Sequence, residues 1–219
     1  MKGDPLAADL SLNGSLRGDR WRGALAELKL KTPLKRWVLT APWSLDLDLP
    51  KQQLTMGDLC LASQKASLCV KGSRIAQSQG NLEFALNEFD LKRLRPWVPD
   101  NFRWQAVLSA DGRASWRGNQ PTLHATVRNT PGTFVADELK TEYQRLELGL
   151  DFERQQAAIR VDFASRQIGN IDTDLLIREP AGRGQLSGQL KFDDLKLTTF
   201  APLIPEVRSL QGIISADAR

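Results

Sequence analysis

Trp104-Gln105-Ala106-Val107-Leu108-Ser109-Ala110-Asp111-Gly112-Arg113-Ala114-Ser115-Trp116 is the stretch that decides the fold class. Trp104, Ala106, Leu108, Ala110, Gly112, Ala114 and Trp116 fall in one phase of a two-residue period. Gln105, Ser109, Asp111, Arg113 and Ser115 make up most of the other. Successive side chains on a strand point to opposite faces. The stretch therefore predicts one long strand with a greasy face and a wet face, and it lacks the three-to-four spacing of an amphipathic helix.

The same alternation spreads outward in both directions. Trp43, Leu45, Leu47 and Leu49 alternate with Ser44, Asp46 and Asp48, and Leu82, Phe84 and Leu86 with Glu83 and Ala85. Further runs are Leu146/Leu148/Leu150/Phe152, Ile159/Val161/Phe163, Ile171/Leu175/Ile177 and Leu186/Leu190/Phe192. About a dozen strands of this kind predict an antiparallel sheet covered on one side only. Alternation alone puts Leu45, Leu47, Leu82, Phe84, Leu108, Leu148, Ile159 and Val161 on the apolar face. Asp46, Asp48, Glu83 and Asp151 fall on the face turned to water.

An internal repeat overlies the pattern. A shift of 106 residues lays Pro96-Trp97-Val98-Pro99 on Pro202-Leu203-Ile204-Pro205, and Val107–Asp111 on Ile213–Asp217. Glu88-Phe89 then meets Asp194-Leu195, and Leu91 meets Leu197. A weaker copy sets Gly14–Asp19 beside Ala114–Asn119. Repeats of this kind build a linear array in which each unit covers its neighbour. The division expected is 1–99, 100–205 and the start of a third repeat over 206–219, in one elongated body. Short helices are expected at equivalent points, Asp90–Arg95 and Asp194–Ala201, each stopped by the Pro-x-x-Pro that follows. Their Leu side, Leu91/Leu94 in one and Leu197/Phe200 in the other, would pack on the sheet.

Composition narrows the function classes. Thirty basic and 26 acidic side chains give a net charge of +4 and are interleaved along the chain. The densest basic run, Lys92-Arg93-Leu94-Arg95, is short and interrupted, so a mixed solvated surface accounts for the charges better than a nucleic-acid groove. No stretch approaches the roughly 20 apolar residues that span a bilayer. Met1-Lys2-Gly3-Asp4-Pro5 has no apolar core of a signal peptide, and targeting signals are expected to lie outside this sequence. The one histidine, His124, sits in a strand pattern and reads as a surface imidazole. Asp46/Asp48, Asp151/Glu153 and Asp172/Asp174 could each hold Ca2+, but the wet face of a half-exposed sheet produces such pairs anyway. No nucleophile elbow, phosphate loop or dinucleotide fingerprint occurs. The reading is a non-enzyme with no cofactor, no metal and no catalytic residues.

Cys60 and Cys69 are the only cysteines, in Leu59-Cys60-Leu61 and Leu68-Cys69-Val70. Paired around a turn near Gln64-Lys65, the two strands set 60 opposite 69, 59 opposite 70 and 61 opposite 68. Both thiols then share one face and four apolar side chains the other. This suits a cross-strand disulfide of an exported protein; two reduced thiols of a cytosolic protein are the other reading. Six Trp beside one Tyr could line a boundary between lipid and water, or simply fill a core.

These features together resemble the TamB family, within the wider AsmA-like group of bridge-like lipid transfer proteins. The resemblance is carried by Gly14-Ser15-Leu16-Arg17-Gly18-Asp19 with Trp21-Arg22-Gly23-Ala24-Leu25 after it, and by Trp37–Trp43 leading to the Cys60…Cys69 pair. It is carried further by Phe89–Pro99 and its second copy Asp194–Pro205. It implies a mainly β fold: a long curved, antiparallel-rich sheet folded lengthwise into a U-shaped apolar trough, a repeating β-groove. It implies an internal periplasmic segment of a protein anchored in the inner membrane and reaching the outer membrane. The implied cargo is phospholipid acyl chains, and the implied partner is an outer-membrane barrel of the TamA type, met through regions outside this segment, as is any membrane contact. The family is implicated in phospholipid transport and outer-membrane protein assembly. Two rival readings are a scaffold that receives outer-membrane β-strands by edge pairing and a structural β-solenoid stalk with a dry core.

Overall fold

Long alternating segments joined by short polar turns should run up and down beside one another. The computed structural model, which describes residues 7–72, 75–76, 78–137, 139–179, 184–198 and 212–218, shows that arrangement. Among the described residues the chain makes nineteen strands and one short helix. The expected dozen becomes nineteen because several long strands are broken in the middle. Two units are distinguished: Met1–Phe89 with Ala110–His124, and Asp90–Ser109 with Ala125–Arg219.

The first unit holds β1 (Ala7–Arg17), β2 (Arg20–Thr32), β3 (Lys35–Leu39), β4 (Trp43–Asp48), β5 (Gln53–Met56), β6 (Leu59–Ser63), β7 (Ala66–Lys71), β8 (Ile75–Ala76) and β9 (Gln79–Asp90). β1 lies along one side of β2, and β4 and β3 lie end to end along the other. β5 and β6 repeat this arrangement against β4 and β3, and β8 and β7 against β5 and β6. β9 then runs along both β7 and β8. Three long strands are thus each interrupted once, at 40–42, at 57–58 and at Gly72.

These interruptions sit side by side. The Gly57 N–H donates to the Ser44 carbonyl at 3.0 Å, and the Thr40 N–H to the Cys60 carbonyl at 2.9 Å. A Cβ on Gly72 would meet the Met56 and Leu82 side chains. β2 carries a register shift at the same height, where Ser11/Leu12 oppose Glu27/Leu25. Bulges and glycines interrupt regular pairing, and in this unit the interruptions fall in one line across the strands.

The hairpin of β11 (Val107–Arg117) and β12 (Gln120–Asn129) is divided, its turn end belonging to the first unit and its open end to the second. The second unit continues with β15 (Arg145–Glu153), β16 (Gln156–Ser165), β17 (Gly169–Arg178), β18 (Gln185–Lys196) and β19 (Ile213–Ala218), paired in that order. A separate three-stranded sheet, ordered β10-β13-β14, is made of β10 (Phe102–Gln105), β13 (Gly132–Ala136) and β14 (Leu139–Tyr143). Each of its strands is the near extension of a long one: β10 leads into β11, β12 into β13, and β14 into β15.

The run Trp104–Trp116 is therefore not one strand; it breaks at Ala106. The Ala106 carbonyl turns to accept the Leu91 N–H at 3.0 Å, and the Val107 N–H is taken by the Thr130 hydroxyl at 3.1 Å. The break folds the small sheet onto the larger one. Tyr143, Phe163 and Ile168 form the buried cluster there, with Trp104, Phe134, Leu146, Ile171 and Leu195 packed against it. The Tyr143 hydroxyl accepts the Trp104 indole N–H at 2.8 Å, so this buried polar tip is satisfied.

The first predicted helix is present as a 3-10 helix, Leu91–Trp97, capped by Asp90, whose carboxylate accepts the Lys92 N–H. Pro96 lies inside it instead of ending it, and Leu91 is buried with Arg93 while Leu94 is half-buried. The second predicted helix begins later than expected: 194–196 belong to β18, Leu197 and Thr198 have 3-10 geometry, and from 199 onward the segment lies outside the described residues.

The 106-residue offset nevertheless has geometric content. β9 and β18 occupy equivalent positions, and β11 and β19 begin at equivalent residues. Glu88 and Asp194 both have positive φ, 49° and 55°. The Leu91 N–H bonds to Ala106 O at 3.0 Å, and Leu197 N–H to Gly212 O at 3.1 Å. The weaker copy falls on equivalent hairpin turns, where Gly18 and Gly118 share φ 58°.

Candidate functional site: the apolar face of the sheet

Register decides which side chains share a face. In the first unit Leu47 stands between Trp21 and Leu54, and Leu45 between Gly23 and Met56. β1 sets Leu12 against Leu25 and Leu10 against Leu28, so the bulge in β2 keeps both leucines on one face. The same face continues through Leu30–Trp37 and through Leu39–Leu61–Leu68–Leu86, beside Leu59–Val70–Phe84. Leu82 is in phase with Phe84. Leu45, Leu47, Leu82 and Phe84 are thus brought to one apolar face of one unit.

In the second unit the rows are Leu146–Phe163–Ile171–Phe192, Leu148–Val161–Thr173 and Leu150–Ile159–Leu175. Leu148, Ile159 and Val161 therefore share a face. The first row lies under the small sheet, whereas Leu148 remains 37% exposed. Leu108, half-buried, stands at the open end of β11 in the same phase as Gly112.

Ring placement smooths the face. A Cβ on Gly14 or Gly23 would collide with the Trp21 ring, one on Gly80 with Trp116, and one on Gly112 with Phe84. Aromatic rings laid over glycines replace missing side-chain packing and leave flat carbon surface. The indole N–H of Trp43 goes to the Gly57 carbonyl at 2.9 Å and that of Trp116 to Ala76 at 3.2 Å. Sequence reading singled out the tryptophans but not their glycine partners, although Gly14, Gly23, Gly80 and Gly112 all lie in the apolar phase.

The opposite face is ionic. Asp46 accepts from Arg20 at 2.6 Å and Arg22 at 3.0 Å, Glu83 pairs with Arg113 at 2.6 Å, and Asp48 with Lys51 at 3.1 Å. Arg160 lies between Asp174, at 3.4 Å, and Asp151, at 3.7 Å. The hydrogen bond from Arg20 holds the Asp46 carboxyl below its ordinary range, and that from Lys51 does the same for Asp48. His124 is exposed on β12.

Cys60 and Cys69 are bonded on this side, directly opposite one another with Cα atoms 4.1 Å apart. Leu59 faces Val70 and Leu61 faces Leu68, the register read from the sequence. Gln64, with φ 57°, makes the turn.

Among the described residues no cluster of three His, Cys, Asp or Glu could hold a metal, and no helix is long and apolar enough to cross a membrane. The fold and these faces define a mainly antiparallel β protein, each unit of which presents an apolar face on one side of its strands and ion pairs on the other. The family model described as TamB, N-terminal domain, matches residues 1–219, and the chain belongs to the TamB family. No solved structure matches it closely enough to be set beside it.

Proposed function

We propose that the chain is a periplasmic segment of a TamB-like protein whose apolar face forms a groove for phospholipid acyl chains moving between the inner and outer membranes, in support of outer-membrane protein assembly. The observation that carries this reading is the segregation of side chains. Leu45, Leu47, Leu82 and Phe84 in one unit, and Leu148, Ile159 and Val161 in the other, sit in largely apolar rows, while the carboxylates between them are turned away and paired. The line of strand interruptions in the first unit supports a sheet folded lengthwise into a trough, with Leu25, Trp37 and Leu61 reduced to 7–9% exposure. The 106-residue equivalences support division into groove repeats, 1–99, 100–205 and 206–219.

Each acyl methylene removed from water gains about 0.8 kcal/mol. A face without isolated polar anchors lets a chain slide where a pocket would hold it. No catalytic residue, cofactor or metal enters this reading. The protein is anchored in the inner membrane and meets an outer-membrane barrel of the TamA type through other regions. Photo-crosslinkers at Leu47, Phe84 and Leu148 in cells should capture phospholipid, and those at Asp46 and Glu83 should not; equal capture at both sets removes the proposal.

A second reading draws on exposed edges. β1 and β19 are exposed along their whole length, with Leu10, Leu12, Leu16, Ile213 and Ile214 among the most exposed apolar side chains. Such edges could receive a β-strand of an outer-membrane protein. A crosslink from Leu12 or Ile214 to protein, with none to lipid from Leu148, would favour it.

A further inference from the structure

Between the 3-10 helix Leu91–Trp97 and β10, within the second unit, lies a cavity of about 290 Å3. It is separate from the leucine rows of the sheet. Its walls include Leu94, Val98, Phe102 and Trp104. The Trp104 indole N–H is committed to Tyr143, so the ring offers only carbon to the cavity. Phe102 meets Trp104 edge-on at 6.2 Å, which fixes the two rings as one corner.

The charge around this cavity differs from that of the rest of the unit. Lys92, Arg95 and Arg103 line it, and no carboxylate does. Elsewhere in the unit several cations are matched: Arg145 with Asp162 at 2.8 Å, Arg160 with Asp174 at 3.4 Å, Arg128 with Glu147 at 3.5 Å and Lys191 with Asp193 at 2.8 Å. No ion pair among the described residues joins Lys92, Arg95 or Arg103 to a carboxylate; of the acids near them, Asp90 caps the helix through the Lys92 N–H, Asp137 accepts from the Asn101 side chain at 2.6 Å, and Asp100 is exposed and does not line the cavity. Three like charges beside an apolar cavity repel one another in the empty protein and are complementary to a ligand with a greasy body and an anionic end.

We propose that this cavity seats a single-chain anionic amphiphile of the fatty-acid class, its chain against Leu94, Val98, Phe102 and Trp104 and its head between Lys92, Arg95 and Arg103. Size agrees: a cavity of about 150 Å3 takes a benzene ring, so this one has room for roughly ten to twelve carbons of one chain and not for two. The site goes beyond the groove reading, because it holds a ligand at one place where the sheet face lets it slide.

The test is isothermal titration calorimetry of the purified chain with decanoate and with its uncharged methyl ester. Wild type should bind the acid at least tenfold more tightly than the ester. Val98→Trp, which fills the cavity, should weaken the acid at least tenfold. The exposed triple change Lys92→Gln/Arg95→Gln/Arg103→Gln should do the same while leaving the ester unchanged, and it serves where Val98→Trp disturbs the fold. Leu148→Arg, on the sheet face, should leave binding of the acid as in wild type. Wild-type binding in the triple variant, or no binding by wild type, overturns the proposal. Loss of binding in Leu148→Arg alone would put the probe on the sheet, which removes this site and leaves the groove reading standing.

Discussion

The two units break their long strands in the same way and close the break differently. In the first, the pieces on both sides of 40–42, 57–58 and Gly72 stay paired with the same neighbouring long strands, and the line of interruptions leaves them in one sheet. In the second, the pieces beyond Ala106, 130–131 and Gln144 pair only with each other, as β10-β13-β14, and pack their rings onto Phe163 and Ile168. Tyr143 lies 5.9 Å from Phe163, centroid to centroid, and is 2% exposed. The same sequence device, an alternating strand with one interruption, therefore leaves one paired sheet in one place and gives a packed core in the other. In the second unit all three pieces beyond the break carry a large aromatic, Trp104, Phe134 and Tyr143, whereas in the first the aromatics Trp37 and Trp43 fall on one long strand, on both sides of its break, and the neighbouring pieces carry Leu54, Met56, Leu59, Leu61, Leu68 and Val70.

The largest expected effect separates the covered rows from the open ones. Phe163→Ala empties the buried cluster and should lower unfolding free energy by about 3–5 kcal/mol, while Leu148→Ala, one row away and 37% exposed, should cost clearly less. Equal losses in chemical denaturation would mean that the two rows are equally buried. Next comes the disulfide. Removing it by Cys60→Ser/Cys69→Ser should cost about 2–3 kcal/mol for a loop this short in the chain-entropy model, and non-reducing peptide mapping of periplasmically produced protein should find the linked pair.

Leu148→Arg should be smaller still in stability. On a face open to water the guanidinium can reach solvent along its own stem, so melting should stay near wild type while outer-membrane integrity in cells fails. In a closed, dry core the same charge would be buried unpaired and unfold the segment, which would favour a stalk. The smallest effect is electrostatic. Because the folded pKa values of Asp46 and Asp48 are depressed, their contribution is complete above the unfolded value of about 3.9 and is lost as pH falls below it. Asp46→Asn should lower stability slightly at pH 7, where the contribution is complete, and flatten the acid limb so that the difference from wild type shrinks as pH falls below about 4; a difference that grows on acidification would contradict the assignment.

Alternation made much of this legible. It put Leu45, Leu47, Leu82 and Phe84 in one phase, and register then set them on one face. It also gave the Cys60–Cys69 pairing, because opposing residues in a tight hairpin follow from the turn alone. The break at Ala106 was not legible. Trp104-Gln105-Ala106-Val107 alternates straight through, with no Gly or Pro, and the break is set by Leu91 and Thr130, distant in sequence. The Arg154-Gln155 turn was equally silent: both residues take positive φ, 51° and 62°, without the Asn-Gly signal that usually marks such a hairpin. The second helix was placed by analogy with the first, and its opening residues instead extend β18 through a bulge at Asp194.

The most direct test of the central claim is lipid extraction and mass spectrometry of the chain purified in folded form from the periplasm. An apolar face open to acyl chains predicts co-purifying phospholipid that is lost in Leu47→Arg/Leu148→Arg while the protein stays folded. Folded wild-type protein that carries no phospholipid, or a double variant that carries as much as wild type, would contradict it.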